Sequence, residues 1–175
     1  MTIACALKTD TGVWIGADSR LTMRNGFIVP VESNKWVPLH PYLWWAFAGH
    51  TRIQAVVEKL EFDTTDGAEE VHEIIRAAVK EDGWNSDADR GEIVDYAYDL
   101  LLVNPDRVCF AHGSGSFADF GDAFCAIGSG RDYAYGAAFA LHGMDPEVIV
   151  RSAVEAAIAF DVNCGGSVYV EFIPK

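Results

Sequence analysis

The sequence predicts an α+β fold, a four-layer αββα sandwich of two antiparallel sheets flanked by helix pairs. Three observations predict it. The first 49 residues read as short strands joined by turns, the apolar spacing then switches to a helical period, and the same alternation repeats before a closing strand. Runs of strands packed by helix pairs give α+β rather than alternating βαβ units.

Each element has its own signal. "TIACALK" alternates and carries β-branched residues, "TDTG" follows as a turn, and "VWIGAD" is a short apolar run suited to a buried strand. Asn25-Gly26 marks a hairpin between "SRLTM" and "FIVPVE", and His40-Pro41 marks a turn between "NKWVPLH" and "YLWWAFAG". Consecutive strands with short connections predict an antiparallel meander. From Thr51, "TRIQAVVEKLEF" places Ile53, Val56, Val57 and Leu60 on one helical face. "DGAEEVHEIIRAAVKEDG" does the same with Val71, Ile74, Ile75 and Ala78, and its early acidic residues suit the helix dipole. "WNSDADRGE" reads as a loop. Strand character returns in "YAYDLLLVN" and "RVCFAHG" across a "PD" turn; "GSGSFADFGD" reads as a loop and "AFCAIGSG" as a further strand. Two helices follow, one near Arg131–His142 and one from Asp145 to about Phe160 with Pro146 in its first turn. "GSVYVEFI" is the last strand.

At 175 residues the chain is expected to form a single domain over 1–175 with a sizeable core. Half the residues are hydrophobic and 22% are charged, which predicts a globular chain. Five Trp, six Tyr and ten Phe supply apolar area for the core and for subunit contacts. A formal net charge of −13 argues against nucleic-acid partners, whose phosphates need Lys/Arg-rich surface. Cys5, Cys109, Cys125 and Cys164 are scattered without a CxxC pair or a metal-spaced His cluster, so no metal and no cofactor are expected. No basic-then-apolar leader is present and no apolar run reaches membrane-spanning length, so no membrane partner is expected and a reducing cytoplasm is the simplest location. His40, His72, His112 and His142 are isolated and receive no role.

Several polar residues fall at strand ends. Thr2 opens the first strand, Asp18 lies 16 residues on and Lys35 lies 33 residues on. "AFAG" ends at Gly49 and "IGSG" at Gly130. Taken singly, Thr2 is a strand former, Asp18 a turn acid and Lys35 an edge charge.

In this order they resemble the proteasome β-subunit and HslV family of N-terminal-nucleophile hydrolases. The resemblance rests on Thr2, "GVWIGADSR", Lys35, "PYLWWAFAG", "AIGSGRDYAYGAA" and "AFDVNCGG", and runs over essentially the whole chain. It implies a threonine-type endopeptidase working through an acyl-enzyme on Thr2, with Met1 removed. Once Thr2 is N-terminal, its own α-amine, which titrates at about 7.7–8.0 in model compounds, can take the hydroxyl proton. Lys35 then lowers the pKa of its neighbours, Asp18 pairs with Lys35, and the Gly49 N–H faces the oxyanion. Ser129 and Asp161 match the supporting polar residues. Phe47 shapes the substrate pocket, with Arg20 and His50 also on the substrate side.

The resemblance further implies peptide or unfolded-protein substrates, a homo-oligomeric ring and an ATPase unfoldase as possible partner. A cation held by backbone carbonyls near Asp161 and Cys164 is a weak reading, since no acidic cage is visible. Lys35 and "AFAG" share a one-residue offset from the family spacing, which one insertion around "RNGFIVPVES" explains. His50 and Cys164 stand where small or hydroxyl residues are usual. Two alternatives stay open: an amidase for small molecules on the same fold, and a silent ring subunit that retains Met1.

Overall fold

The computed structural model describes residues 2–22, 27–82 and 98–175. Met1, the Asn25-Gly26 turn and the "WNSDADRGE" loop lie outside the described residues.

The first sheet is built on a hairpin. Strands β1 (Ala4–Thr9) and β2 (Gly12–Asp18) pair antiparallel from Ala4↔Ala17 to Thr9↔Gly12, and the Thr9 hydroxyl closes the turn by donating to the Gly12 carbonyl at 2.9 Å. β10 (Phe124–Ile127) adds to β1 and β11 (Val168–Pro174) to β2, giving the order β10-β1-β2-β11. The chain therefore leaves this sheet after β2, which corrects the expected continuous meander. β3 (Arg20–Thr22) and β4 (Ile28–Glu32) form a separate two-stranded ribbon. The meander appears instead in the second sheet, where β5 (Val37–His40), β6 (Leu43–Ala48), β7 (Asp99–Asn104), β8 (Arg107–His112) and β9 (Phe117–Asp119) lie in sequence order.

Four helices cover the outer faces among the described residues. α1 (Arg52–Val57) is shorter than its apolar pattern predicts, because Lys59 and Leu60 donate three residues back, to Val56 and Val57, and tighten the chain into a turn. α2 (Ala68–Glu81) starts at Gly67, whose N–H donates to the Glu70 carboxylate at 2.9 Å. α3 (Arg131–Ala140) follows Gly130 directly. α4 (Pro146–Phe160) has Asp145 as its N-cap, accepting from the Glu147 N–H at 2.9 Å, with Pro146 in the first helical position.

Apolar burial fixes the layers. Ala4, Val13, Ile15, Leu101, Val103 and Val108 meet between the two sheets. Trp45, Leu100 and Leu102, on the other side of the second sheet, pack on Ile53, Val71 and Ile75 of α1 and α2. Cys5 and Ala126, on the outer side of the first sheet, pack on Val150, Ala153 and Val154 of α4. The result is a four-layer αββα sandwich. Two details differ from the sequence reading. β9 lies inside the stretch read as a loop, because Phe117 anchors it against the second core beneath α2. On α2, His72 is buried while Ile74 and Ala78 are only half-buried; His72 stacks on Phe117 and hydrogen-bonds the His112 carbonyl at 3.1 Å.

Candidate active site

The open end of the β1–β2 hairpin brings Thr2 and Asp18 together, because antiparallel pairing sets the residues before β1 against the end of β2. Asp18 is fully buried. Its Oδ1 accepts from the Thr2 hydroxyl at 3.1 Å, from the Ile3 N–H at 3.0 Å and from the Lys35 ammonium, while its Oδ2 accepts from the Gly165 N–H at 3.0 Å. One carboxylate thus gathers a hydroxyl, two backbone amides and a cation, which is how a buried charge becomes tolerable. Lys35 is itself nearly buried, its side chain 10% exposed. Burial pushes its ammonium below the usual lysine range, against the opposing pull of Asp18.

A pocket opens beside this cluster. Thr2, Lys35, Phe47 and Gly49 all line it, so the structure brings together four of the residues singled out in the sequence. β6 explains the arrangement: Trp45 and Phe47 face the helix side of the sheet, Ala46 and Ala48 face the inter-sheet core, and Gly49 follows at the strand end with φ +153°.

Ser129 and Asp161 are not among the residues that line the pocket, and they hydrogen-bond to each other. Burial raises the Asp161 carboxyl, but hydrogen bonds from the Ser129 hydroxyl, the Asn163 N–H and the Cys164 thiol outweigh it and hold the group below the usual carboxylate range. The Cys164 Sγ donates to Asp161 Oδ2 at 3.3 Å, and burial pushes this thiol up to about 12. Gly128 packs directly against Thr2. It has φ +95°, and a Cβ there would stand 2.1 Å from the Thr2 carbonyl oxygen.

Arg20 and His50 are not among the pocket-lining residues. The Arg20 guanidinium donates to the Val162 carbonyl at 3.3 Å and lies so close over Gly165 that a Cβ there would stand 2.1 Å from its Cζ. It therefore clamps the segment carrying the Gly165 amide. His50 is exposed, and its Nδ1 accepts from the Arg52 N–H at 3.2 Å at the start of α1. Among the described residues no group of three or more His, Cys, Asp and Glu side chains could hold a metal ion.

Two contributors were missed in the sequence. The Gly165 amide gives no side-chain signal, although the "CGG" stretch lay in plain view. Gln54 lines the pocket from α1, and a polar residue beside an apolar helix stripe looks like ordinary solvated surface.

No protein-family model matches the chain, and no curated protein matches its sequence. Solved structures do match it. The structure is similar to Thiobacillus denitrificans BPH, with TM-score 0.80 in complex with epoxomicin and 0.79 for BPH itself, at 22% identity over 99% of this chain and 98% of BPH. It is also similar to eukaryotic HslV from Trypanosoma brucei, with TM-score 0.71 at 23% identity over 99% of this chain and 100% of HslV. At such identities the likeness is one of fold.

Proposed function

We propose, for a chain that carries the fold of HslV, that it is a threonine-type peptidase whose nucleophile is the Thr2 hydroxyl after Met1 has been removed. The observation that carries this reading is the convergence of Thr2, Lys35 and the ends of two sheets on one fully buried carboxylate, Asp18, at the edge of a pocket. A threonine that merely formed strand would need neither the ammonium nor the pocket.

The chemistry follows from the atoms. The Thr2 oxygen attacks a peptide carbonyl carbon, a C–O bond forms, and the hydroxyl proton passes to the Thr2 α-amine. Negative charge develops on the carbonyl oxygen, where the Gly49 N–H stabilises it. The C–N bond breaks as the ammonium returns its proton to the leaving amine, and an ester remains on Thr2. Water then attacks this ester, giving a proton to the same amine; the C–O bond to Thr2 breaks as the ammonium returns that proton to the Thr2 oxygen, and the acid product leaves. Asp18 fixes the hydroxyl and the ammonium relative to each other. The buried Lys35 charge favours a neutral amine and stabilises developing anionic charge. Asp161, held by Ser129, Asn163 and Cys164, fixes the turn that leads to the Gly165 amide on Asp18.

We further propose assembly into a homo-oligomeric ring acting on unfolded chains, with an ATPase feeding it. The exposed apolar side chains of α3 and α4 support the assembly, and the HslV-like fold supports the rest.

Intact mass first establishes loss of Met1. Incubation with epoxomicin, which the BPH neighbour binds, followed by mass mapping is then expected to find an adduct on the peptide beginning at Thr2. A Thr2→Ala variant should show none. An adduct elsewhere, or none on chains confirmed to start at Thr2, would sink the assignment.

A further inference from the structure

We infer that Asp99 and Arg131 are positioning residues for the reaction: their ion pair ties the sheet that carries the Gly49 amide to the helix start that holds Thr2, and so sets the gap between nucleophile and oxyanion donor. This deepens the peptidase reading and rests on it.

The nucleophile and the oxyanion donor belong to different sheets. Thr2 leads into β1 of the first sheet, and Gly49 follows β6 of the second. Both must meet one carbonyl group, so a shift between the sheets is felt directly at the reacting atoms. Packing offers little against such a shift here. Ala4, Ala17 and Ala48, the inter-sheet residues next to the site on β1, β2 and β6, bring only methyl groups to the core. These interdigitate less than Ile15, Leu101 and Val103 do further in.

The ion pair crosses the gap at this end. Asp99 opens β7 and lies opposite Ala48 in the β6–β7 register, and Ala48 immediately precedes Gly49. Alternation puts the Asp99 side chain on the same side of β7 as Leu101, toward the first sheet. Its Oδ2 lies 3.5 Å from Arg131 Nη1. Arg131 is the first residue of α3, and Gly130 before it donates its N–H to the Thr2 carbonyl at 3.4 Å. Each charge is thus one short step from one of the two reacting groups.

Neither charge is explained by its own element. A cation in the first turn of a helix opposes the helix dipole. The neighbouring Asp132 stands 3.8 Å from Arg131 Nε, but its side chain is 89% exposed and holds the guanidinium only weakly. The Asp99 side chain is 19% exposed, and burial lifts its carboxyl above the usual range against the pull of His112 and Arg131. His112 faces it across the β7–β8 register. The His112 Nδ1 accepts from the Ser114 N–H at 3.1 Å, which leaves the ring proton on Nε2, 3.9 Å from Asp99 Oδ1. Asp99 is therefore steadied by His112 within its own sheet and reaches Arg131 across the layers.

The test uses the full chain with Met1 removed, one fluorogenic peptide, and saturating epoxomicin to count the sites with a labelled Thr2. Counting labelled sites removes any unfolded fraction from the comparison. Asp99→Asn and Arg131→Gln are each expected to lower kcat per labelled site by about 10-fold or more, with KM unchanged; a misplacement of about 1 Å costs up to about 100-fold. Arg131→Lys, which keeps the charge, should keep most of kcat. The double variant should be no slower than the worse single one, because the two side chains act as a unit. Urea midpoints should stay close to the parent's, since so open a pair adds little stability. Four results would overturn the inference while a labelled Thr2 leaves the peptidase reading standing. They are parental kcat per labelled site in Asp99→Asn, a change in KM alone, an Arg131→Lys as slow as Arg131→Gln, and a double variant whose loss is the product of the single losses. If Thr2 of the parent takes no label, both readings fall.

Discussion

Asp18 concentrates the site in one side chain. It is fully buried, and every partner that the structure gives its carboxylate is a donor. Asp18→Asn keeps the size but removes the charge, stranding the Lys35 ammonium in a place where only 10% of its side chain meets water. Breaking a buried pair in this way costs about 3–5 kcal/mol. Denaturant unfolding should register that loss, and peptide cleavage should fall on the order of 100-fold or more, as misplacing the proton-transfer groups does. A variant as stable and active as the parent would remove Asp18 from the centre of the site. Legibility at this scale was uneven. Thr2, Asp18 and Lys35 were found because three ordinary residues fell in one order at strand ends, and none of them carried the signal alone. The Gly165 amide stayed hidden, since a backbone donor looks the same in every sequence.

Elements were more legible than their partners. Helical spacing located α2, the Asp145-Pro146 start located α4, and alternation located β1. β6 and β7 showed as short apolar runs beside turn signals; β7 is buried on both faces and so carries no alternation. Sheet order was not legible. β1 pairs with β10 and β2 with β11, strands far away in the sequence, and nothing local to β1 or β2 encodes these neighbours. At three residues, β9 is too short to display any alternation. The outer sides of α3 and α4 carry a different message. Phe139 is 86% exposed and Phe160 68%, and Tyr133 contacts Phe160 with ring centroids 5.8 Å apart. Large rings left in water on adjoining helices mark a contact surface. Light scattering is expected to give a mass several times that of the 19.1 kDa chain, and Phe160→Asp should shift it toward the single chain. A wild-type chain that runs as a monomer would end the ring proposal.

Across the molecule, all four cysteines are buried, at 0–1% exposure. Burial lifts the Cys109 and Cys125 thiols to about 11 and the Cys164 thiol to about 12, with Cys5 raised further. An unfolded thiol titrates near 8.5. Between those limits the unfolded chain holds fewer protons than the folded one, so stability present below pH 8.5 is lost as pH rises toward the folded values. Each thiol steepens the decline by up to about 1.4 kcal/mol per pH unit. Urea unfolding at pH 7.5 and pH 10 should show a marked alkaline loss, with Cys125→Ala flattening it; a pH-independent midpoint would contradict the burial.

The segment after α4 is stitched to the opening strands: the Arg20 N–H donates to the Gly165 carbonyl at 2.9 Å, the Thr22 hydroxyl to the Asn163 carbonyl at 3.2 Å, and the Ser167 N–H to the Ser19 hydroxyl at 2.7 Å. The Asp18 carboxylate thus gains its Gly165 donor only when segments 147 positions apart in the chain have met. The buried charge is completed by long-range closure and not by local structure, so loosening the segment after α4 is expected to disturb the opening strands as well.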